Sequence, residues 1–145
     1  MKATILTSVF AVLVSVTNLN AKNVKVYSNV ESNEEGAKKE MVMLDSKTSA
    51  PVSQNVYVYD ANGNIVEKTV NKWSDEKGWA AAGKYEYVYN EQGKVANLTY
   101  TKWNNKSDDW ARESQLFVHV YDDNNELIAV NEVKVSDADN FITQK

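Results

Sequence analysis

"VYVYDANGNIVEKTVNKW" runs from Val56 to Trp73, and "EYVYNEQGKVANLTYTKW" runs from Glu86 to Trp103. The second stretch repeats the first 30 residues further on, and a third copy, "HVYDDNNEL", starts at His119. The anchor tyrosines are Tyr59, Tyr89 and Tyr121, at spacings of 30 and 32. Self-similarity at a fixed period marks a repeated supersecondary unit that cannot bury its own face alone.

Each copy contains a turn that can be typed from its residues. The turns are Asp60-Ala61-Asn62-Gly63, Asn90-Glu91-Gln92-Gly93 and Asp122-Asp123-Asn124-Asn125. Asp or Asn stands first, where its side chain bonds the backbone ahead of it in a type I turn. Gly or Asn stands fourth, where positive φ is tolerated and a G1 bulge follows. The pair Asn62-Gly63 alone suggests a two-residue type I′ turn. Gln92-Gly93 suits that poorly, so one geometry, type I plus bulge, is expected in all three copies. It pairs Asp60 with Asn64, Tyr59 with Ile65 and Val58 with Val66, and likewise Tyr89 with Val95 and Tyr121 with Leu127.

The expected fold is all-β. It is an antiparallel meander of three repeated hairpins, about six strands, forming a curved sheet or a small sandwich. The repeats span about residues 54–79, 84–110 and 114–136. One or two further strands are expected from "NVKVYSN" (Asn23–Asn29) and "EMVMLDS" (Glu40–Ser46), with "VESNEEGAKKE" between them as a charged loop or short helix. The polar stretches "SDEKGW" and "NNKSDDW" read as connectors, and the tail after Asp137 has little pattern.

Alternation along these strands predicts two unlike faces. One carries Val58, Val66, Val88, Ala96, Leu98, Val118, Val120, Ile128 and Val130, an aliphatic core face. The other carries Tyr57, Tyr59, Tyr85, Tyr87, Tyr89, Phe117, His119 and Tyr121, then Trp73 and Trp103, with Glu67, Thr69, Asn97, Thr99 and Asn131. Tyr and Trp join a large flat surface to a hydrogen-bonding edge, which suits either a packing layer or a contact surface.

The start of the chain has a different character. Met1-Lys2 is positive, Ile5 to Val16 is mostly apolar, and Leu19 and Ala21 stand where a signal peptidase cuts. Residues 1–21 are therefore expected to be a secretory signal peptide, with a single all-β domain over 22–145. The apolar run is short for a membrane-spanning helix, so no stable membrane anchor is expected. With no Cys in 145 residues, the chain has neither a disulfide nor a lipidation thiol. Export to the periplasm or the extracellular space follows. The leader holds one Lys and no acid, which leaves 15 basic and 20 acidic residues in the remainder. That balance opposes nucleic-acid binding, which depends on Lys and Arg at phosphates.

The core "YVYDANGNI" resembles the YD repeat of large secreted bacterial toxins and adhesion proteins, whose tandem hairpins build long curling sheets that act as shells or scaffolds. The whole layout, a leader followed by Tyr-rich hairpins with a Trp after each, resembles small secreted proteins of gut Bacteroidetes that are grouped as a domain of unknown function. The resemblance implies export and an all-β fold. It supplies no activity and no catalytic residue.

Catalytic chemistry has little to stand on. His119 is the single histidine, and it occupies the slot of Tyr57 and Tyr87. Without a second His or a Cys it does not make a typical zinc site. "DANGN" and "DDNNE" offer oxygen ligands, but not the spacing of a calcium-binding loop, and turn chemistry accounts for them. Glu67, Glu86, Glu113 and Glu132 are scattered over strands, with nothing to set two of them across a cleft. No cofactor is expected. The leading expectation is a non-enzymatic exported binding module for a carbohydrate, peptide or protein. Its contact surface would comprise Trp73, Trp103, Tyr57, Tyr85 and Tyr87, flanked at the connectors by Trp79 and Trp110. The alternatives are a structural protein that assembles through its sheet edges and a hydrolase of the glycosidase kind.

Overall fold

The computed structural model describes the backbone of Leu6–Phe10 and residues 24–137. The expected cleavage site and the tail after Asp137 lie outside the described residues. The elements are β1 (Leu6–Phe10), β2 (Val24–Asn33), β3 (Gly36–Asp45), β4 (Pro51–Asp60), β5 (Ile65–Ser74), β6 (Gly78–Tyr89), β7 (Val95–Asn104), β8 (Asp109–Tyr121) and β9 (Leu127–Ser136). The strands follow one another in sequence order, so the fold is an all-β antiparallel meander. Contacts gather into two compact units, Met1–Ala82 and Gly83–Lys145, with the boundary inside β6. Among the described residues, no helix is long and apolar enough to cross a membrane.

In the first unit, β1 pairs with β2 from Leu6↔Ser32 to Phe10↔Ser28. The segment expected as a charged loop or short helix is strand, turn and strand instead. β2 and β3 pair along their whole length, from Val24↔Asp45 to Asn33↔Gly36. The reason is local. Asn33 Oδ1 accepts bonds from the amides of Glu35 (2.9 Å) and Gly36 (3.1 Å), which closes a two-residue turn. Gly36 has φ of 151°, and a Cβ there would stand 2.1 Å from the Tyr59 carbonyl oxygen, so only glycine fits. The charged residues that suggested a loop face each other across the ladder, as in Glu31↔Lys38.

The three repeat turns have the expected geometry. Gly63 N donates to Asp60 O at 3.0 Å, Gly93 N to Asn90 O at 3.0 Å and Asn125 N to Asp122 O at 2.9 Å. Gly63, Gly93 and Asn125 all have positive φ, at 83°, 77° and 64°. Asp60 pairs with Asn64 and Tyr59 with Ile65, as expected.

One residue beyond the turn, the register departs from expectation. Val58 faces Glu67, not Val66, because Val66 is an extra residue. Ala96 and Ile128 are extra in the same place, since Val88 faces Asn97 and Val120 faces Ala129. Each second strand thus carries a bulge that reverses its parity from there on.

The expected aliphatic face is broken up as a result. Leu98 faces Tyr87 and Phe117, and Val130 faces His119. Glu67 shares a face with Val58, and Asn97 with Val88 and Val118. Nor is the aliphatic set a buried core. No hydrophobic side chain among the described residues is buried, and Val88 is 56% exposed. Thr101 and Gly83 are the buried positions.

Candidate functional site

In the first unit Tyr57 and Tyr59 lie on one face of β4, with ring centroids 6.5 Å apart. Lys68, opposite Tyr57, places its ammonium 5.6 Å from that ring. Alternation along β5 from Lys68 puts Trp73 on the other face, with Glu67, Thr69 and Asn71. Trp73 does not join Tyr57 there. It packs edge-on against Trp79 with centroids 5.2 Å apart, and its indole N–H donates to Asp75 at 3.1 Å.

The second unit repeats the device. Tyr85, Tyr87 and Tyr89 share a face with Leu98, Tyr100, Phe117, His119 and Tyr121 through the registers of β6 to β9. Tyr85 and Tyr100 stand directly opposite, at 4.9 Å between centroids. Tyr121 donates its hydroxyl proton to Val95 O at 2.6 Å, and Lys94 sits 5.5 Å over the Tyr121 ring. Trp103 lies on the reverse face, opposite Trp110, in an edge-to-face pair at 5.0 Å. Lys84 Nζ lies 4.9 Å over Trp110 and 3.6 Å from Glu86. On that same face the buried Thr101 hydroxyl meets Ser114 Oγ at 2.7 Å.

The residues expected to form one platform therefore separate into two kinds. In the first unit Tyr57 and Tyr59 hold one face and the tryptophan pair the other, which Tyr27 shares; in the second unit Tyr85, Tyr87 and Tyr89 face away from the tryptophan pair. Trp79 and Trp110 do not flank the sheet on connectors. They are the second residues of β6 and β8, and each meets the Trp that stands next to last in the strand before it. The sequence signal for this was available: Trp73 and Trp79, like Trp103 and Trp110, flank the connectors symmetrically. Trp79, Trp103 and Trp110 are half-buried, and Trp73 is 42% exposed.

The polar groups that suggested other chemistry are occupied locally. Asp60 Oδ1 accepts the amides of Asn62 and Asn64, both at 2.9 Å. The Asn64 amide, above all, holds the Asp60 carboxyl below its usual range. Asp122 Oδ1 accepts the amides of Asn124 and Glu126 in the same way. Glu67 accepts the Thr69 hydroxyl at 3.2 Å, and His119 Nδ1 lies 3.3 Å from Phe117 O. No three His, Cys, Asp or Glu side chains gather into a metal-holding group among the described residues. An open depression of about 1130 Å³ beside Trp110 is lined by Arg112, Glu113 and Asp137, among others.

These features describe an all-β antiparallel meander with a tryptophan pair at two of its hairpin ends. The chain belongs to a family of unknown function (DUF3836), whose model matches residues 1–118. It is similar to a solved DUF3836 family protein from Parabacteroides distasonis ATCC 8503. Identity is 12% over 81% of this chain and 94% of that one, with a TM-score of 0.45. It is also similar to one from Bacteroides vulgatus ATCC 8482, at 19% identity over 77% of this chain and 98% of that one, with a TM-score of 0.42. No curated protein matches.

Proposed function

We propose that this chain is an exported, non-enzymatic interaction module that works through sheet surface rather than through a catalytic cleft. The observation that carries this is the absence of any buried hydrophobic side chain among the described residues. Apolar surface left in water is surface a partner can cover. In the second unit the tyrosine face from Tyr85 to Tyr121 is half-buried rather than buried, which leaves ring edges that suit a peptide, a protein or a glycan chain. The YD-like hairpin cores fit this role as a scaffold, and the apolar leader fits export to the periplasm or beyond.

The test is a glycan array and a random peptide library, probed with the full-length chain and with Tyr85→Ser and Tyr87→Ser variants. Binding that is lost in variants that retain their β-sheet circular dichroism supports the face as the contact surface. Binding that survives both changes removes it. A second reading, assembly through a sheet edge, is favoured by β9, where Leu127 to Lys134 are all exposed.

A further inference from the structure

β9 ends the strand order and has β8 as its single strand neighbour among the described residues. Its other edge offers backbone N–H and C=O groups, the template for adding a strand. Val130 and Val133 are each 47% exposed, on opposite faces of that strand. Of the usual safeguards, the edge carries charge at Glu132 and Lys134 along its regular part and little else. It has no Pro, and its bulge, at Ile128, lies at the strand's start. The ladder is regular from Ala129 to Ser136.

We propose that β9 pairs antiparallel with β9 of a second copy of this chain, in a register centred on Val133. This rests on the edge-assembly reading above and adds to it the edge, the occupant and the register. A two-fold axis through a sheet places one residue opposite its own symmetry mate and keeps each face continuous. The regular stretch leaves two centres with the greatest overlap, residues 132 and 133. Centring on Glu132 sets that carboxylate against its own copy, and like charges directly opposite are destabilising. Centring on Val133 sets Glu132 opposite the second copy's Lys134, twice by symmetry. Both lie on the face of Phe117 and Gln115, and both are exposed. Val133 then meets Val133, and Val130 meets Ser136. The charge pattern of "LIAVNEVKVS" is thus self-complementary in one register.

The chain has no Cys, so a single introduced thiol reports the register. Facing Cα atoms in an antiparallel ladder stand about 4.5–5.5 Å apart, within disulfide reach. The experiment is sedimentation of the full-length chain across micromolar concentrations, with oxidation of Val133→Cys and Asn131→Cys variants. The expected result is a dimer in which Val133→Cys cross-links and Asn131→Cys does not. Glu132→Lys should weaken dimerisation roughly tenfold, as should Lys134→Glu, and the two changes together should restore it. A dimer that cross-links at 131 instead, or ignores the charge swap, overturns the register while edge assembly stands. A monomer with unprotected β9 amides overturns edge assembly itself. A monomer with protected β9 amides means that the chain's own segment after Asp137 covers the edge, and overturns the proposal as well.

Discussion

Gly83 lies beneath the ring of Tyr100. A Cβ on Gly83 would stand 2.7 Å from Tyr100 Cε2 and 2.9 Å from its hydroxyl oxygen. Tyr100 is opposite Tyr85, so the ring crosses diagonally over the neighbouring glycine and shields a stretch of backbone that has no side chain of its own. Gly83 is for this reason one of the two buried positions among the described residues.

Gly83→Ala should therefore push Tyr100 off its seat. The expected loss is about 1–3 kcal/mol, the usual range for overpacking, read by urea unfolding. In a Tyr100→Ala background the same change should cost little, because the obstructing ring is gone. Equal costs in both backgrounds would show that the close approach is not what matters at this position.

Part of this was legible beforehand, and the limit has a physical cause. Asp60, Gly63 and their counterparts specify the turns, since side-chain bonding and positive φ are local demands that local residues meet. The parity of everything after the turn was not legible. It depends on Val66, Ala96 and Ile128 standing as extra residues, and nothing in those side chains distinguishes a bulged position from a paired one. A one-residue slip then exchanged the faces of Trp73 and Trp103, and with them the composition of the expected platform. The N-terminal pair failed differently. "SNEEGAKKE" is charged enough to pass for a loop, yet the Asn33 side chain and Gly36 turn the chain in two residues.

The Asp60 turn should soften in acid. Its folded-state pKa is lowered, with the amide of Asn64 as the leading cause. The unfolded chain then binds the proton more readily, so stability rises with pH through that window. The stabilisation is fully present above the unfolded pKa and is lost as pH falls through the folded one. Melting temperatures of the wild type and Asp60→Asn should converge as pH falls below the usual carboxylate range, with the wild type falling further. Parallel curves would mean that the carboxylate contributes nothing that an amide does not.

Removal of residues 1–21 should be visible by mass. Protein recovered from the periplasm or the medium is expected to begin at Lys22. β1 would then be absent, and the β2 edge from Ser28 to Ser32 would lose its partner strand. An intact Met1 terminus on the exported protein would instead make Leu6–Phe10 a permanent strand of the first unit.

The tryptophan pairs decide how the hairpin ends are held. Trp103 and Trp110 meet edge to face where β7 turns into β8, and Trp73 and Trp79 do so where β5 turns into β6. Such contacts couple by about 0.5–1.5 kcal/mol beyond the area they bury. Trp103→Ala and Trp110→Ala should each destabilise the second unit, and the double variant should cost less than the two together by that amount. Acrylamide should quench Trp73 most readily, since it is the tryptophan above one-third exposure. If the pair shows no coupling and Trp103→Ala leaves the unfolding curve unchanged, the indoles are not staples. They then become available again as contact residues for a ligand, on the face opposite the tyrosines.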